Sequence, residues 1–200
     1  MQRGRLITLE GIDGAGKTTI AALLAERLAA RGVEVVQTHE PGGFPEGEAL
    51  RALILERDWP PEAEALLFFA DRAAHVRTLI APALARGAWV ICDRYTDSTL
   101  AYQSARGLAM ERLQSAAELA ECGVRPDATF WLDLPVEAAL ARIGARAPAS
   151  RFEREALLER VRQAYAELHR RAPERIARVD ATLSPDRIAD AIFERLRRWL

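Results

Sequence analysis

The sequence predicts an α/β protein built on a five-stranded parallel sheet with helices on both faces and a short lid. Two observations carry that expectation. Short β-rich apolar runs alternate with long alanine- and leucine-rich stretches, and a glycine-rich loop joins the first run to the first helical stretch. A length of 200 residues, half of them hydrophobic, suits one compact domain over residues 1–200.

Taken in order, the candidate strands are Arg5 to Leu9, Val33 to Thr38, Trp89 to Cys92, Thr129 to Leu132 and Ile176 to Val179. Each is short and flanked by helical sequence, as suits strands covered on both faces. Helices are expected from Lys17 to about Arg31, where Gly32 stops the first, from Glu46 to about Leu55, and from Pro61 to Arg86, where Gly87 ends the run. Others start at Pro135, run from Phe152 to Arg171, and run from Pro185 to the end of the chain. The stretch Gly144 to Arg151, rich in Gly, Ala, Pro and Arg, breaks this rhythm and predicts a mobile loop.

Acidic and basic side chains are interspersed and nearly balanced, with a formal net charge of −1. That excludes an electrostatic surface for nucleic acid or anionic membrane and favours a small-molecule partner. No signal peptide or membrane-spanning stretch is apparent, and Cys92 and Cys122 lack the spacing of a metal site or disulfide framework, so a cytoplasmic location is expected.

Gly11-Ile12-Asp13-Gly14-Ala15-Gly16-Lys17-Thr18 matches G-x-x-x-x-G-K-[ST] between a predicted strand and a predicted helix. The glycines let backbone amides curl toward phosphate oxygens, and the following helix, continuing through Thr19, adds its positive end. Lys17 is the only lysine in the chain. It can span the β- and γ-phosphates of ATP, while Thr18 offers a hydroxyl to Mg2+. A guanine-reading N-K-x-D segment is impossible, because the chain has no asparagine. A compact ATP-dependent kinase is the leading class. Another nucleoside or nucleotide kinase on the same scaffold and an ATP-switch binding protein are the rivals.

Asp93-Arg94-Tyr95 follows the third candidate strand at the carboxyl edge, where open α/β sheets bind ligands. Arg94 can bridge two phosphates and stabilise the charge that spreads over a moving phosphoryl group. Asp93 can hold magnesium through water or lock Arg94. Phe68 and Arg72 stand four apart on a predicted helix, so one face offers an aromatic ring for a base to stack on and a guanidinium to donate to a pyrimidine carbonyl. Ser98, Thr99, Tyr102 and Gln103 fall on a short helix after Arg94, where hydroxyl and amide groups can read a base edge. Arg51 can add to the site for an acceptor phosphate.

Over most of its length the chain resembles the thymidylate kinases, which pass a phosphate from ATP to dTMP. The resemblance covers Leu9 to Thr19, Glu40-Pro41-Gly42-Gly43, Leu66 to Arg72, Asp93-Arg94-Tyr95 and Asp97 to Gln103, in that order and spacing. It implies a P-loop kinase fold, dTMP and ATP as substrates, magnesium as cofactor and a homodimer. The helix Glu62 to Leu84 is expected to supply part of the dimer contact. The resemblance also implies that Asp13 touches the acceptor's sugar or phosphate end or the magnesium shell, that Tyr102 lies against the deoxyribose, and that Arg142 stacks on adenine. Some thymidylate kinases place an arginine within the phosphate loop and others supply arginines from the lid. Gly14 puts this chain with the second, bacterial-looking pattern, and Arg146 and Arg151 are then the lid arginines that reach the transferring phosphate.

Overall fold

In the computed structural model, which describes residues 3–144 and 151–200, the five expected strands are all present. They are β1 (Leu6–Glu10), β2 (Val35–His39), β3 (Trp89–Asp93), β4 (Ala128–Asp133) and β5 (Ile176–Asp180). All pairings are parallel and the order is β2-β3-β1-β4-β5. β1 lies at the centre with every residue buried, which suits Leu6, Ile7 and Leu9 on both of its faces.

Because side chains alternate across a strand, the sheet feeds two cores. Ile7, Leu9 and Ile91 pack with Leu24 and Ile192 on one face. Leu6, Val90 and Cys92 pack with Val76, Ile80 and Leu84 on the other. The helices that cover the sheet are α1 (Lys17–Ala29), α2 (Gly47–Leu55), α3 (Pro61–His75), α4 (Ala81–Ala85), α5 (Thr96–Ala105), α6 (Met110–Ala120), α7 (Val136–Ile143), α8 (Arg151–Arg171) and α9 (Pro185–Leu196).

Two departures from the expected elements have local causes. The single helix expected from Pro61 to Arg86 contains a π-helical segment, Val76–Ile80, between α3 and α4. Pro82 has no N–H to give to a carbonyl four residues back, and its ring would crowd that carbonyl; the wider turn, in which Ala81 N–H donates to Val76 O, relieves the crowding. Helix α6 was not expected. Its buried stripe is Leu113, Ala117 and Ala120, two of them alanines, set among exposed polar positions and too thin to stand out. The lid expected over Gly144 to Arg151 falls mostly at residues 145–150, outside the described residues, while Arg151 already opens α8.

The loops after β1, β2, β3 and β4 all emerge at one edge of the sheet, so four separate stretches of sequence meet there. The packing beneath them is testable at Leu24, which is fully buried on α1. Leu24→Ala is expected to lower the free energy of unfolding by roughly 2–5 kcal/mol, read from urea or guanidinium transitions.

Candidate active site

The loop Gly11 to Thr18 runs from the end of β1 into α1. Its glycines are there for backbone reasons. Gly11 has φ 139°, and a Cβ on it would come within 2.6 Å of Leu132 O; Gly14 has φ 82° and a Cβ would meet Ala139 O at 2.8 Å. Lys17 is buried, and its ammonium folds back on the loop, donating to Gly11 O at 3.2 Å and Ile12 O at 3.1 Å. Burial, reinforced by the nearby Arg94 charge, pushes its pKa down to about 8 against the pull of Asp93, Asp13 and Glu10. Thr18 Oγ1 donates to Asp93 Oδ2 at 2.6 Å, which joins the start of α1 to the end of β3.

Arg94 leaves β3 with φ 71°, a left-handed conformation that a non-glycine residue adopts at a cost of roughly 1–3 kcal/mol. Five contacts hold it. Its backbone N–H donates to Leu9 O at 2.9 Å. Nη1 donates to Gly11 O at 3.1 Å and Ser98 Oγ at 2.9 Å, and Nη2 donates to Asp13 Oδ1 at 2.6 Å and Tyr102 OH at 3.3 Å. Of the two roles expected for Asp93, locking Arg94 is therefore not the one seen: Asp13 forms that pair. Burial tends to raise the Asp13 pKa, but the Arg94 and Lys17 charges outweigh it and hold the carboxyl below the usual range.

Beneath Arg94 lies Glu10, fully buried at the end of β1, one residue beyond the strand expected from Arg5 to Leu9 and given no role there. Its Oε1 accepts the Tyr95 N–H at 2.8 Å, and its Oε2 accepts from Ser98 Oγ at 2.5 Å and from Tyr165 OH at 3.0 Å. Burial, with the charge of Asp97 behind it, raises Glu10 to about 7. Ser98 Oγ is thus engaged with Arg94, Glu10 and Tyr165, an inward network rather than the base-reading position expected for it. A carboxylate between the first candidate strand and the phosphate loop was the available signal.

Two cavities meet at this edge. One, of about 720 Å³, runs along Gly14, Lys17, Thr18, Thr19 and Asp93. The other, of about 450 Å³, is lined by Phe68, Arg72, Thr99, Tyr102 and Gln103 and by Leu157 of α8. Asp13, Glu40, Arg51 and Arg94 line both. Phe68 and Arg72 are brought together as their spacing predicted. Arg72 is 1% exposed, its Nη2 donates to Thr99 Oγ1 at 3.0 Å, and it lies 2.7 Å from Glu40 Oε2 in a charge contact that is off the axis of a hydrogen bond. Arg72 Nε, Arg72 Nη1 and Gln103 Oε1 are buried without a hydrogen-bond partner among the described residues. Two donors and one acceptor are therefore left for a polar ring.

Of the remaining expected positions, Arg51 lines both cavities with Nη1 donating to Pro41 O at 2.8 Å. Arg142 bridges the loop and the end of β5, donating to Gly14 O at 3.3 Å and Ala181 O at 3.2 Å. Arg146 and the side chain of Arg151 lie outside the described residues.

Among the described residues no helix is long and apolar enough to cross a membrane. The thymidylate kinase family model matches residues 9–192. Similar proteins include the thymidylate kinase of Alkalilimnicola ehrlichii, 48% identical over 211 residues that cover 100% of this chain and 97% of that one. The thymidylate kinase of Cupriavidus metallidurans is 51% identical over 196 residues, 96% of this chain and 97% of its own. That of Chromohalobacter salexigens is 48% identical over 212 residues, all of both chains.

The buried ammonium has a consequence for stability. Lys17 releases its proton near pH 8 when folded, against 10.5 as a free side chain, so the folded state binds fewer protons between those values. Its burial opposes folding at full strength below about pH 8 and the penalty fades as pH rises toward 10.5. Lys17→Met is expected to stabilise the ligand-free protein at about pH 7 by on the order of 1–3 kcal/mol, with a smaller gain at about pH 10, measured by calorimetry at both values.

Proposed function

This chain belongs to the thymidylate kinase family, and from that premise we propose that it transfers the γ-phosphoryl group of ATP to dTMP, giving ADP and dTDP. The observation that carries the proposal is the pair of cavities that share Asp13, Glu40, Arg51 and Arg94, one fronted by the phosphate loop and the other by Phe68 and Arg72. A donor and an acceptor lying in them would meet at Arg94.

In this reading the amides from Gly11 to Thr19 and the Lys17 ammonium take the phosphates of ATP, and Arg142 lies against the adenine. Turning Lys17 from Gly11 O and Ile12 O to a polyphosphate gives its poorly solvated charge a better partner, which favours binding. Phe68 stacks on the thymine, the free N–H groups of Arg72 donate to a ring carbonyl, and Gln103 Oε1 accepts the ring N–H. Thr99 holds Arg72 in place. Tyr102 borders the sugar, its hydroxyl already accepting from Asp13 N–H at 3.2 Å. Arg51 and Arg94 receive the acceptor phosphate.

An acceptor phosphate oxygen attacks the γ-phosphorus, the bond to the bridging oxygen breaks, and the electron pair leaves on ADP. The attacking oxygen is already anionic, so no side chain need act as a strong base. Arg94, fixed by Asp13, Ser98 and Gly11 O, offers charge to the equatorial oxygens without having to reorganise. Thr18 Oγ1 and Asp93 Oδ2, two hard oxygen donors 2.6 Å apart beside the loop, suit Mg2+, with Asp93 acting through water. When bound, Mg2+ neutralises charge on the β- and γ-phosphate oxygens. Gly14 places no arginine inside the loop, so in this reading Arg146 and Arg151 supply the remaining charge to the transferring phosphate.

We also propose a cytoplasmic homodimer. The exposed Leu66 on α3 and Leu119 on α6, 64% and 82% accessible, support a contact through these neighbouring helices.

Lys17→Ala is expected to lower kcat by roughly 100-fold or more, whereas Arg72→Ala should raise the KM for dTMP about tenfold or more with little change for ATP. A panel of nucleosides and monophosphates with labelled ATP tests the acceptor; brisk turnover of a nucleoside and none of dTMP would sink the assignment. Leu119→Glu is expected to shift the protein from dimer to monomer in analytical ultracentrifugation, and an unchanged dimer would place the interface elsewhere.

A further inference from the structure

At the wall of the cavity that holds Phe68 and Arg72, four polar side chains form a chain of contacts running inward. Arg72, Glu40, His75 and Thr38 are all buried. Glu40 Oε2 faces Arg72 Nη2 at 2.7 Å, Glu40 Oε1 lies 3.0 Å from His75 Nδ1, and His75 Nε2 lies 2.7 Å from Thr38 Oγ1. Thr38 Oγ1 in turn donates to Gly43 O at 2.7 Å.

Proton positions follow from which atoms can give and which can only take. Gly43 O can only accept and lies 2.7 Å from Thr38 Oγ1, a separation at which two oxygens need a hydrogen between them, so the single hydroxyl hydrogen of Thr38 points there. Thr38 is then an acceptor toward His75, and Nε2 must carry a hydrogen. On the other side of the ring, an ionised Glu40 can only accept, so Nδ1 must carry one as well. The alternative, a neutral imidazole receiving a proton from Glu40, would strip the charge from the one carboxylate in contact with a guanidinium that is 1% exposed. A buried cation left beside a neutral acid is the costlier arrangement.

We infer that His75 is an imidazolium that acts as a positioning residue: through Glu40 it fixes the guanidinium of Arg72 in the orientation that reads the pyrimidine base. The inference rests on the proposed role of Arg72 in the acceptor cavity. His75 itself lines neither cavity. It sits at the junction of α3 and the π-helical segment, with its ring stacked on Phe44 at 6.0 Å. Holding Oε1 leaves Oε2 for Arg72 Nη2, the same nitrogen that donates to Thr99 Oγ1. Nε and Nη1 remain without hydrogen-bond partners among the described residues.

The surrounding charges are compatible with two cations here. On α3, Asp71 Oδ1 accepts the Gly42 N–H at 2.8 Å. Burial, with the Glu40 charge, raises Asp71 to about 6, so it is ionised at neutral pH and balances the second cation. From β3, the Cys92 thiol is pushed up by burial and then by Glu40; it stays neutral and donates to Arg94 O at 3.0 Å. At the start of α5, the Tyr95 ring lies 5.1 Å from the Arg72 guanidinium, and its hydroxyl, held neutral by burial, donates to Val124 O. The same accounting removes a competing reading. Glu40, His75 and Cys92 offer ligand atoms within 4.8 Å of one another, but an imidazolium has no lone pair and a neutral thiol is a poor ligand, so the cluster is not a metal site.

The test begins with the unaltered protein. Its three histidines can be resolved by nitrogen-15 NMR of histidine-labelled enzyme, with His75→Gln giving the assignment. Both ring nitrogens of His75 are expected to be protonated; an unprotonated, pyridine-type nitrogen would overturn the inference whatever the kinetics. In turnover, His75→Gln is expected to raise the KM for dTMP about tenfold while leaving the KM for ATP within about twofold, and to add nothing further in an Arg72→Ala background. Equal losses for both substrates, or a full additional loss without Arg72, would reduce His75 to a packing residue. An unaltered KM for dTMP in Arg72→Ala alone would instead refute the reading of the cavity, and the positioning role with it, while the spectrum still decides the charge.

Discussion

Everything at the active edge turns on how a guanidinium is held at the end of β3. Arg94 adopts a left-handed backbone conformation so that its side chain can turn back over the first strand, and it persists there because Leu9 O, Gly11 O, Ser98, Asp13 and Tyr102 all bind it. Those partners come from β1, the phosphate loop and α5. The strand order that places β1 beside β3 is therefore what makes the arrangement possible.

The same economy recurs on the acceptor side. In both places a carboxylate fixes an arginine: Asp13 fixes Arg94, and Glu40 fixes Arg72. A chain with only one lysine uses planar guanidinium groups for these tasks, and their several N–H groups allow some to be tied to the protein while others stay free for a ligand. Arg72 illustrates this, bonded to Thr99 through Nη2 yet unpartnered at Nε and Nη1 among the described residues. The lysine has the opposite design. It is a buried point charge whose present partners are two carbonyls of its own loop, so it gains most when a polyphosphate replaces them.

These buried charges weigh against folding, and the sheet beneath them compensates. Glu10, Lys17, Arg72 and His75 are all at most 7% exposed. Each has polar partners near the carboxyl ends of strands whose residues are mostly apolar. Rigid apolar strands ending in polar loops separate the two tasks: the core supplies stability and the carboxyl edge supplies preorganised charge.

The sequence by itself determined the strands, the phosphate loop and the pairing of Phe68 with Arg72, because each depends on local periodicity or on a motif a few residues long. Helix α6 and the π-helical segment at Val76–Ile80 escaped, the first because two alanines carry most of its buried stripe and the second because one proline disturbs an otherwise continuous pattern. Glu10, Tyr165 and His75 were illegible as site residues for a different reason. Their partners lie 35 to 155 positions away, on strands and helices whose adjacency is set only when the sheet order β2-β3-β1-β4-β5 is formed. Tertiary structure also reassigned roles within known motifs, giving Arg94 to Asp13 and Asp93 to Thr18, since hydrogen-bond partners depend on distances across the fold that spacing along the chain does not encode.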